Sequence, residues 1–403
     1  MNIAIVGAGF SGIATACELA SDGHAVTVFE RRAAAAEEAS FGHAGMVAPG
    51  CAWARLGSEA IPLRESGLVP SGWAWHRQQR AARADSEGDA ERLALAAFSQ
   101  ERLRIVAAAL ELHYQKADGV LVLLRSEKDR RRLAPLWERL RETGRAANEA
   151  PPEAIRTLEP GLNADTALRA AVHLPGDEVG NCRQFALRLR AEAERHGVVF
   201  AFNTPVARVA GGMPPTLVLE GQARPRAFDA VVLCAGMGAP ALLQGLGLGP
   251  RRLPFDTLHG YSLGAAIREP LHAPYSAVVD AATGATIVRL GDRLRVAGAT
   301  HIGTMNESRR QTAIQSLYQA LHRWFPGAAQ LSTGVQEWHG ERLVLPDERP
   351  LLGPSGSPGV WLHLASGGHG WTFAGGSARL LADAIGGQPT ALPLAPYSVA
   401  RFD

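Results

Sequence analysis

The chain begins with two short apolar runs separated by an alanine-rich stretch. Ile3–Val6 and Ala25–Phe29 have the character of buried strands, and Gly12–Ser21 between them has that of a helix. Gly23 falls between this helix and the second run, where the end of a helix favours glycine. The alternation predicts a βαβ unit, and therefore a parallel sheet covered by helices.

The middle of the chain combines helical patterns with those of buried strands. A largely helical stretch from about residue 59 to 144 is interrupted by the strand-like run Val120–Leu124. Cys182–His196 is predicted as a helix and Val198–Phe202 as a strand. The unbroken apolar residues within Phe228–Ala235 predict a further strand that is buried on both faces.

The pattern changes between about residues 251 and 336. Short alternating or β-rich runs there predict an antiparallel sheet, together with one long helix over about Ser308–Trp324. The predicted strands are Tyr261–Ala265, Ser276–Asp280, Ala285–Leu290 and Arg293–Ala299. Near the C-terminus, the strand-like Val360–Leu364 leads into a glycine-rich turn and a helix over Gly376–Ile385.

These patterns predict a fold of mixed α/β and α+β class. We expect a Rossmann-like domain of the two-dinucleotide-binding type, with an inserted substrate domain built on an antiparallel sheet. Residues 1–80, 152–250 and 337–403 are predicted to form the discontinuous cofactor domain, and residues 81–151 and 251–336 the substrate domain. A length of 403 residues suits two intertwined domains better than one core.

Composition narrows the class of protein. The hydrophobic fraction of 46% with 20% charged residues is typical of a folded globular chain, and a formal net charge of +2 gives no reason to expect a nucleic-acid partner. The widely spaced Cys17, Cys51, Cys182 and Cys234 predict reduced thiols, and no metal site is predicted. No stretch approaches the ~18 apolar residues that span a bilayer. We therefore expect a cytoplasmic protein with at most peripheral contact with the inner face of a membrane.

A nucleotide-binding motif lies between the first strand and the first helix. In Gly7-Ala8-Gly9-Phe10-Ser11-Gly12, the first glycine permits a tight turn, the second lets the backbone approach a pyrophosphate, and the third allows close packing of helix and strand. The second strand is followed by Glu30, where a carboxylate can accept hydrogen bonds from a ribose. The motif by itself does not distinguish FAD from NAD.

Two later elements favour FAD. Val231–Gly236 is a second strand that ends in glycine, as expected where the chain returns beside the pyrophosphate. Ser366–Thr372 is a glycine-rich turn directly before a helix. The start of that helix suits the N1–C2=O edge of an isoalloxazine ring, where negative charge collects on reduction.

These residues, with others along nearly the whole chain, resemble the small-subunit type of D-amino acid dehydrogenase within the D-amino acid oxidase group of flavoproteins. The resemblance includes Ser40–Gly50, Leu174–Gly180, Phe202–Val206, Gly260–Leu263, Gly370–Asp383 and Ser398–Phe402. It implies hydride transfer from the α-carbon of a neutral amine to flavin N5. The resulting imine would be hydrolysed to a 2-oxo acid and ammonia, and electrons would pass to a quinone or another acceptor.

The motifs and the resemblance together predict the cofactor-binding residues. They are Gly7, Ala8, Gly9, Phe10, Ser11, Gly12, Glu30, Arg31, Ala44, Gly45, Met46, Val206, Ala235, Gly236, Gly367, Gly368, His369, Gly370, Trp371 and Thr372.

The resemblance also implies the residues that act on substrate. Arg342 stands where the family has an arginine, and its planar guanidinium suits a bidentate clamp on a carboxylate. Tyr261 is predicted to donate a hydrogen bond to the same carboxylate. His43 and His369, which depart from the family pattern, are predicted to approach the flavin or the substrate.

Several alternatives remain open from the sequence. The enzyme could be an amine oxidase that uses oxygen and acts on glycine, sarcosine or a cyclic imino acid. It could be a flavin-binding subunit of a larger complex, or a monooxygenase reduced by NAD(P)H. Covalent attachment of the flavin to a nearby histidine, such as His43, is a further alternative, although a hydrogen-bonding role is favoured.

Overall fold

The computed structural model describes residues 1–57, 70–250 and 252–403, except for the side chains of residues 70–72. Glu59, where the predicted helical stretch begins, and Arg251, at a predicted domain boundary, lie outside the described residues.

The described residues form strands and helices throughout the chain. The strands are β1 (Asn2–Val6), β2 (Ala25–Phe29), β3 (Met46–Val47), β4 (Ala117–Leu124), β5 (Asn148–Ala150), β6 (Ala170–Val179), β7 (Val199–Ala201), β8 (Val206–Ala210), β9 (Thr216–Leu219), β10 (Arg226–Ala227), β11 (Ala230–Leu233), β12 (Asp256–Ala266), β13 (Ala277–Asp280), β14 (Thr286–Leu290), β15 (Arg293–Ile302), β16 (Gln336–Val344), β17 (Leu351–Pro354) and β18 (Val360–Leu364). The α-helices are α1 (Phe10–Ser21), α2 (Pro49–Trp53), α3 (Pro70–Arg83), α4 (Ser86–Ala109), α5 (Glu127–Glu142), α6 (Pro152–Leu158), α7 (Cys182–Arg195), α8 (Ala239–Gln244), α9 (Glu307–Trp324) and α10 (Gly370–Ile385). Short 3₁₀ turns lie at Gly236–Gly238, Pro270–His272, Gly367–His369, Ala395–Tyr397 and Val399–Phe402.

A six-stranded sheet places β1 in its interior. The strand order is β17-β18-β11-β1-β2-β7, and every pair is parallel except β17 with β18. Helices α1, α4, α7 and α10 pack together on one face, around Ile5, Ile13, Phe185 and Phe373. The small antiparallel sheet β10-β9-β8 covers the opposite face through residues such as Leu217. The predicted parallel sheet with covering helices is therefore confirmed.

The second large sheet has nine strands. Their order is β16-β12-β15-β14-β13-β4-β6-β3, and β5 pairs with β6. All of its pairs are antiparallel except β13 with β4. Helix α9 packs on one face through Leu317 and Trp324. Trp137 of α5 and Cys51 of α2 belong to the core on the other face.

Strands β3, β5, β6 and β16 of this sheet were not predicted. Strand β6 contains Pro175, Gly176 and Asp177, which are typical of turns, and β16 has no regular alternation of buried and exposed residues. Strand β6 and residues 337–344 of β16 come from ranges assigned to the cofactor domain, although they belong to the nine-stranded sheet. The strands of the six-stranded sheet also come from the ranges assigned to the cofactor domain. The domain boundaries stay a prediction.

Helix α10 begins at Gly370 rather than at the predicted Gly376. Its internal glycines permit close packing on α4. A Cβ at Gly376 would lie 2.8 Å from the Cα of Ser99, and one at Gly375 would lie 2.7 Å from the side chain of Leu103. These glycines lie inside α10 and allow it to pack closely on α4. The sequence pattern alone does not distinguish such glycines from those of a turn.

The start of α1 is packed tightly against the ends of β1 and β11. Gly7 has φ +109°, and a Cβ there would lie 2.5 Å from the carbonyl oxygen of Cys234. A Cβ at Gly12 would lie 1.9 Å from the carbonyl oxygen of Gly7. Both contacts are with backbone, which cannot rotate away as a flexible side chain can. Only glycine therefore fits at these positions.

The substitution Gly12→Ala should destabilise the protein by about 1–3 kcal/mol, because the new methyl group forces α1 away from the turn before it. Thermal unfolding followed by circular dichroism measures the loss. Gly249→Ala is the matched control, since a Cβ at Gly249 meets no atom within 4 Å. Equal melting temperatures for the two variants would contradict the packing argument.

Candidate cofactor and substrate site

A cavity of about 450 Å³ opens where β1, β2, β11 and β18 end. Parallel strands present their carboxyl ends at one edge of the sheet, so the loops that follow them converge there. The predicted residues on its wall are Gly7, Gly9, Phe10, Ser11, Glu30, Arg31, His43, Val206, Ala235, Gly236, Arg342, Gly367, Gly370 and Trp371.

The turn between β1 and α1 offers an anion site on this wall. Helix α1 has no side-chain cap at Gly9 and no acidic residue in its first turn. The backbone N–H groups at its start therefore favour a negatively charged group. A Cβ at Gly9 would approach only the Oγ of Ser40, at 3.8 Å. The space in front of Gly9 is thus open to a ligand.

Glu30 is held in place by backbone groups. Its carboxylate accepts hydrogen bonds from the N–H of Ala8 at 2.6 Å and from the N–H of Arg32 at 2.8 Å, one on each oxygen. Each carboxylate oxygen has two lone pairs, so Glu30 can still accept bonds from ribose hydroxyl groups. Glu30 lines the cavity with only 9% of its surface exposed.

Arg31 forms an ion pair with a neighbouring carboxylate on the cavity wall. Its guanidinium donates to the carboxylate of Glu38 at 2.7 Å, and Arg32 donates to the same group at 2.8 Å. Burial opposes ionisation of Glu38, but the hydrogen bonds from the two arginines lower its pKa overall. Arg31 therefore helps to order the rim of the cavity.

Strand β18, the turn after it and the start of α10 bring three buried polar atoms to the other side of the cavity. They are the Nε2 of His363, the Oγ of Ser366 and the Nε1 of Trp371, none of which has a hydrogen-bond partner within the part of the chain that the structure describes. Buried polar atoms normally have partners, so a polar ligand is expected to supply them. The cavity thus combines an anion site, a carboxylate for ribose and polar atoms for a heterocycle, which fits FAD.

The hydrogen bonds of His363 indicate which nitrogen faces the ligand. Burial lowers the pKa of His363 to about 3, so the ring is neutral. Its Nδ1 lies 2.9 Å from the Oγ1 of Thr15, whose hydroxyl donates to the carbonyl of Ser11 at 2.8 Å. Because that hydroxyl has only one proton, Nδ1 donates and Nε2 is left as an acceptor.

His43 lies on the wall next to Trp371. Its Nδ1 accepts a hydrogen bond from the N–H of Gly45 at 3.0 Å, so the neutral ring carries its proton on Nε2. The ring meets that of Trp371 edge to face, with centroids 6.0 Å apart.

Arg342 reaches the cavity from β16. It is 9% exposed, and it pairs with Leu258 of β12 in the sheet register. A Cβ at Gly260 would lie 3.3 Å from an Nη atom of Arg342, so glycine in the neighbouring strand leaves room for the guanidinium. Trp338 packs against Gly42 and Gly340 and thereby connects β16 to the loop that carries His43.

The structure does not bring Tyr261 together with Arg342. Tyr261 pairs with His339, and Leu258 pairs with Arg342. Side chains alternate between the faces of a strand, so Tyr261 and Arg342 lie on opposite faces of the sheet. Tyr261 is buried against α9 in the core that contains Leu317. In this arrangement the two side chains cannot bind one carboxylate.

The other predicted residues lie behind the cavity wall. Gly45 packs against Gly180, and Met46 pairs with Val179 in the nine-stranded sheet. Thr372 donates to the carbonyl of Met46 at 3.2 Å. The remaining predicted residues that do not line the cavity are Ala8, Gly12, Ala44, Gly368 and His369.

Ser40 and His363 are among the wall residues that sequence reasoning missed. Ser40 lines the cavity and accepts a hydrogen bond from the N–H of Phe10 at 3.1 Å, which orders the first residue of α1. His363 falls inside the predicted strand Val360–Leu364. A histidine in an otherwise apolar buried strand is a signal that could have indicated a site residue.

Comparison with known proteins agrees with the geometry. The chain belongs to the DAO family of FAD-dependent oxidoreductases, which matches residues 2–384. This confirms the predicted cofactor and the predicted class of enzyme.

Within the described residues, none of the helices combines the length and apolar character that crossing a membrane requires.

Individual relatives are similar over nearly the whole chain. A D-amino acid dehydrogenase of Cereibacter sphaeroides (strain ATCC 17029 / ATH 2.4.9) is 34% identical over 424 residues, covering 100% of this chain and 95% of that protein. Glycine oxidase from Geobacillus kaustophilus has a TM-score of 0.74 at 24% identity, covering 99% of this chain and 98% of its own. Iminodiacetate oxidase from Chelativorans sp. BNC1 has a TM-score of 0.73 at 22% identity, covering 98% of each chain. The two structures show that the fold is shared.

The substitution Glu30→Ala should weaken FAD binding by at least about tenfold, because it removes the acceptor for ribose and leaves the N–H groups of Ala8 and Arg32 without their partner. Fluorescence titration of the apoprotein with FAD measures the affinity. Glu38→Gln is the matched control. It alters another carboxylate on the wall whose partners are exposed arginines, so its effect should stay within about 1 kcal/mol. Unchanged affinity in Glu30→Ala would remove Glu30 from the site.

Proposed function

We propose that the protein is a FAD-dependent dehydrogenase that oxidises an amino acid, with a D-amino acid as the substrate class, to a 2-oxo acid and ammonia. The observation that carries the proposal is the position of Arg342, a nearly buried cation on the wall of the cofactor cavity. The name of the 34% identical relative, D-amino acid dehydrogenase, supports the choice of substrate.

Arg342 can hold the substrate carboxylate. Its guanidinium presents a planar fork of donors that matches a carboxylate, and partial removal from water strengthens the charged hydrogen bonds. The glycine at position 260 provides space beside the fork, and the packed indole of Trp338 restricts the strand that carries it. The substrate would therefore be held at a fixed place relative to the cavity wall.

The other wall residues orient the reactants and limit access of water. FAD, when bound, supplies the acceptor for the hydride that leaves the carbon bearing the amine. His43 and Trp371 form a packed pair on the wall, and backbone bonding of Nδ1 fixes the orientation of the His43 ring. The reaction of a neutral amine needs no side-chain base, so the protein contributes orientation and electrostatics.

The proposed electron acceptor is a quinone or a similar carrier, reached by peripheral contact with a membrane. The dehydrogenase name of the relative supports this acceptor. Use of oxygen, which the names of the glycine and iminodiacetate oxidases describe for those proteins, is the alternative that an experiment must test.

We expect Arg342→Ala to lower kcat/KM by about two orders of magnitude, or roughly 3 kcal/mol, because the carboxylate loses a charge-assisted bidentate contact. Arg342→Lys should recover only part of the rate, since an ammonium group lacks the planar fork. Steady-state kinetics with a reducible dye measures both effects.

The control for this series is Arg131→Ala. The side chain of Arg131 is 79% exposed and does not line the cavity. It should leave kcat/KM unchanged. FAD content should be the same in all variants. Wild-type kinetics in Arg342→Ala with full FAD content would leave the carboxylate clamp unassigned and would remove the main support for the proposal.

The acceptor and the handedness of the substrate can be tested together. In a panel of D- and L-amino acids without oxygen, the holoprotein should reduce a quinone analogue with D-amino acids as the preferred donors. In air without an added acceptor, peroxide should form much more slowly. Peroxide formation as fast as quinone reduction would assign an oxidase, and turnover confined to L-amino acids would refute the proposed substrate class.

A further inference from the structure

A cluster of ring side chains and one carboxylate lies on the face of the nine-stranded sheet opposite Arg342. This histidine cluster consists of His259 and Tyr261 on β12, His301 on β15, and His339 and Glu341 on β16. The register pairs His259 with His301 and Glu341, and Tyr261 with His339. The rings of His259 and His301 stack with centroids 4.8 Å apart. The proposed oxidation of an amino acid does not use this cluster.

Three members of the cluster place their ligand atoms together. The Nδ1 of His259 lies 3.0 Å from the Nε2 of His339 and 3.7 Å from an Oε1 of Glu341. All three ligand atoms lie within 4.8 Å of one another. His259 is buried and Glu341 is exposed. The group is therefore anchored in the protein and open to solvent on one side.

The hydrogen bonds of His259 determine which of its nitrogens is available. The Nε2 of His259 lies 2.7 Å from the carbonyl oxygen of Gly303, which can only accept, so Nε2 carries a proton. In the neutral ring, Nδ1 then has a lone pair directed at His339 and Glu341. A histidine that donates its other N–H to a backbone carbonyl is the usual arrangement of a metal ligand.

The two separations from His259 are close to those in a tetrahedral metal site. Nitrogen and oxygen ligands lie about 2.0–2.2 Å from Zn²⁺, so neighbouring ligand atoms in a tetrahedron are about 3.3 Å apart. The two separations from His259, 3.0 Å and 3.7 Å, lie on either side of this value. An ion would replace the single proton that the two imidazoles otherwise share.

The electrostatic surroundings have opposing effects on a cation. Arg309 and Arg310 at the start of α9 contribute repulsion, while the carboxylates of Glu341 and Glu307 offset it.

We propose that His259, His339 and Glu341 form a binding site for a divalent transition-metal ion, with Zn²⁺ as the ion that this mixture of nitrogen and oxygen ligands suits best. Solvent supplies the fourth ligand. The ion would connect β12 to β16 on the face opposite Arg342. Its expected effect is to stabilise the strand pair.

The test uses tag-free holoprotein. One sample is dialysed against ZnCl₂ and its metal content is measured by mass spectrometry, and a second, zinc-free sample is titrated with ZnCl₂ in a calorimeter. Wild type should retain one Zn²⁺ per chain at pH 7.5. His339→Asn and His259→Asn should each weaken binding by at least about tenfold, as removal of a ligand requires. Bound Zn²⁺ should raise the unfolding temperature of wild type and leave that of His339→Asn unchanged.

Two controls separate this site from general binding by histidine. His301→Asn removes a ring that stacks on His259 without belonging to the ligand group, and His113→Asn removes an exposed histidine elsewhere. Both should bind Zn²⁺ like wild type. FAD content verifies that each variant is folded. Absence of Zn²⁺ from wild type, or equal binding by His339→Asn, would refute the site without affecting the proposed oxidoreductase activity.

Discussion

The close approach of backbone to backbone at Gly7, Gly12 and Cys234 is the constraint on which the cofactor site depends. The absence of a side chain at Gly7 and Gly12 lets α1 start directly at the end of β1 and beside β11. Any Cβ there would push the helix away, and the start of α1 would no longer face the cavity. The packing of three backbone segments thus places a field that favours an anion at a defined point. Glu30 then fixes the turn from the other side, through its bond with Ala8.

The parallel order β18-β11-β1-β2 extends this constraint to the whole site. Because these strands run in the same direction, the residues that follow them meet at one edge, although they are far apart in the chain. That edge collects Glu30 after β2, Ala235 after β11 and Ser366 after β18. The nine-stranded sheet contributes Arg342 from its own edge strand, β16. A site for a cofactor and a cation for a substrate thereby share one wall.

The sequence predicts these parts unequally, and the reasons are physical. Strands β1, β2 and β18 are continuous apolar runs with clear limits, and the glycine motif between β1 and α1 has a local geometric cause, so all were predictable. Strand β6 was missed because Pro175 and Gly176 imitate a turn. Whether Tyr261 and Arg342 share a face of the sheet depends on the register between β12 and β16. Because β16 was not predicted, the separation of Tyr261 from Arg342 could not be predicted either. The role of Ser40 arises from a contact with Phe10, thirty positions away, that no local pattern records.

The pair β12 and β16 illustrates how one piece of sheet can hold two different chemical environments. On one face, Gly260 and Gly340 leave space that Arg342 and Trp338 occupy, and this face borders the cavity. On the other face, the same strands carry histidines whose rings stack and share hydrogen bonds. The alternation of side chains keeps the cation of the first face apart from the imidazoles of the second. Any ion that bridges the second face would restrain the strand that carries Arg342, so the two faces are coupled through the position of the backbone they share.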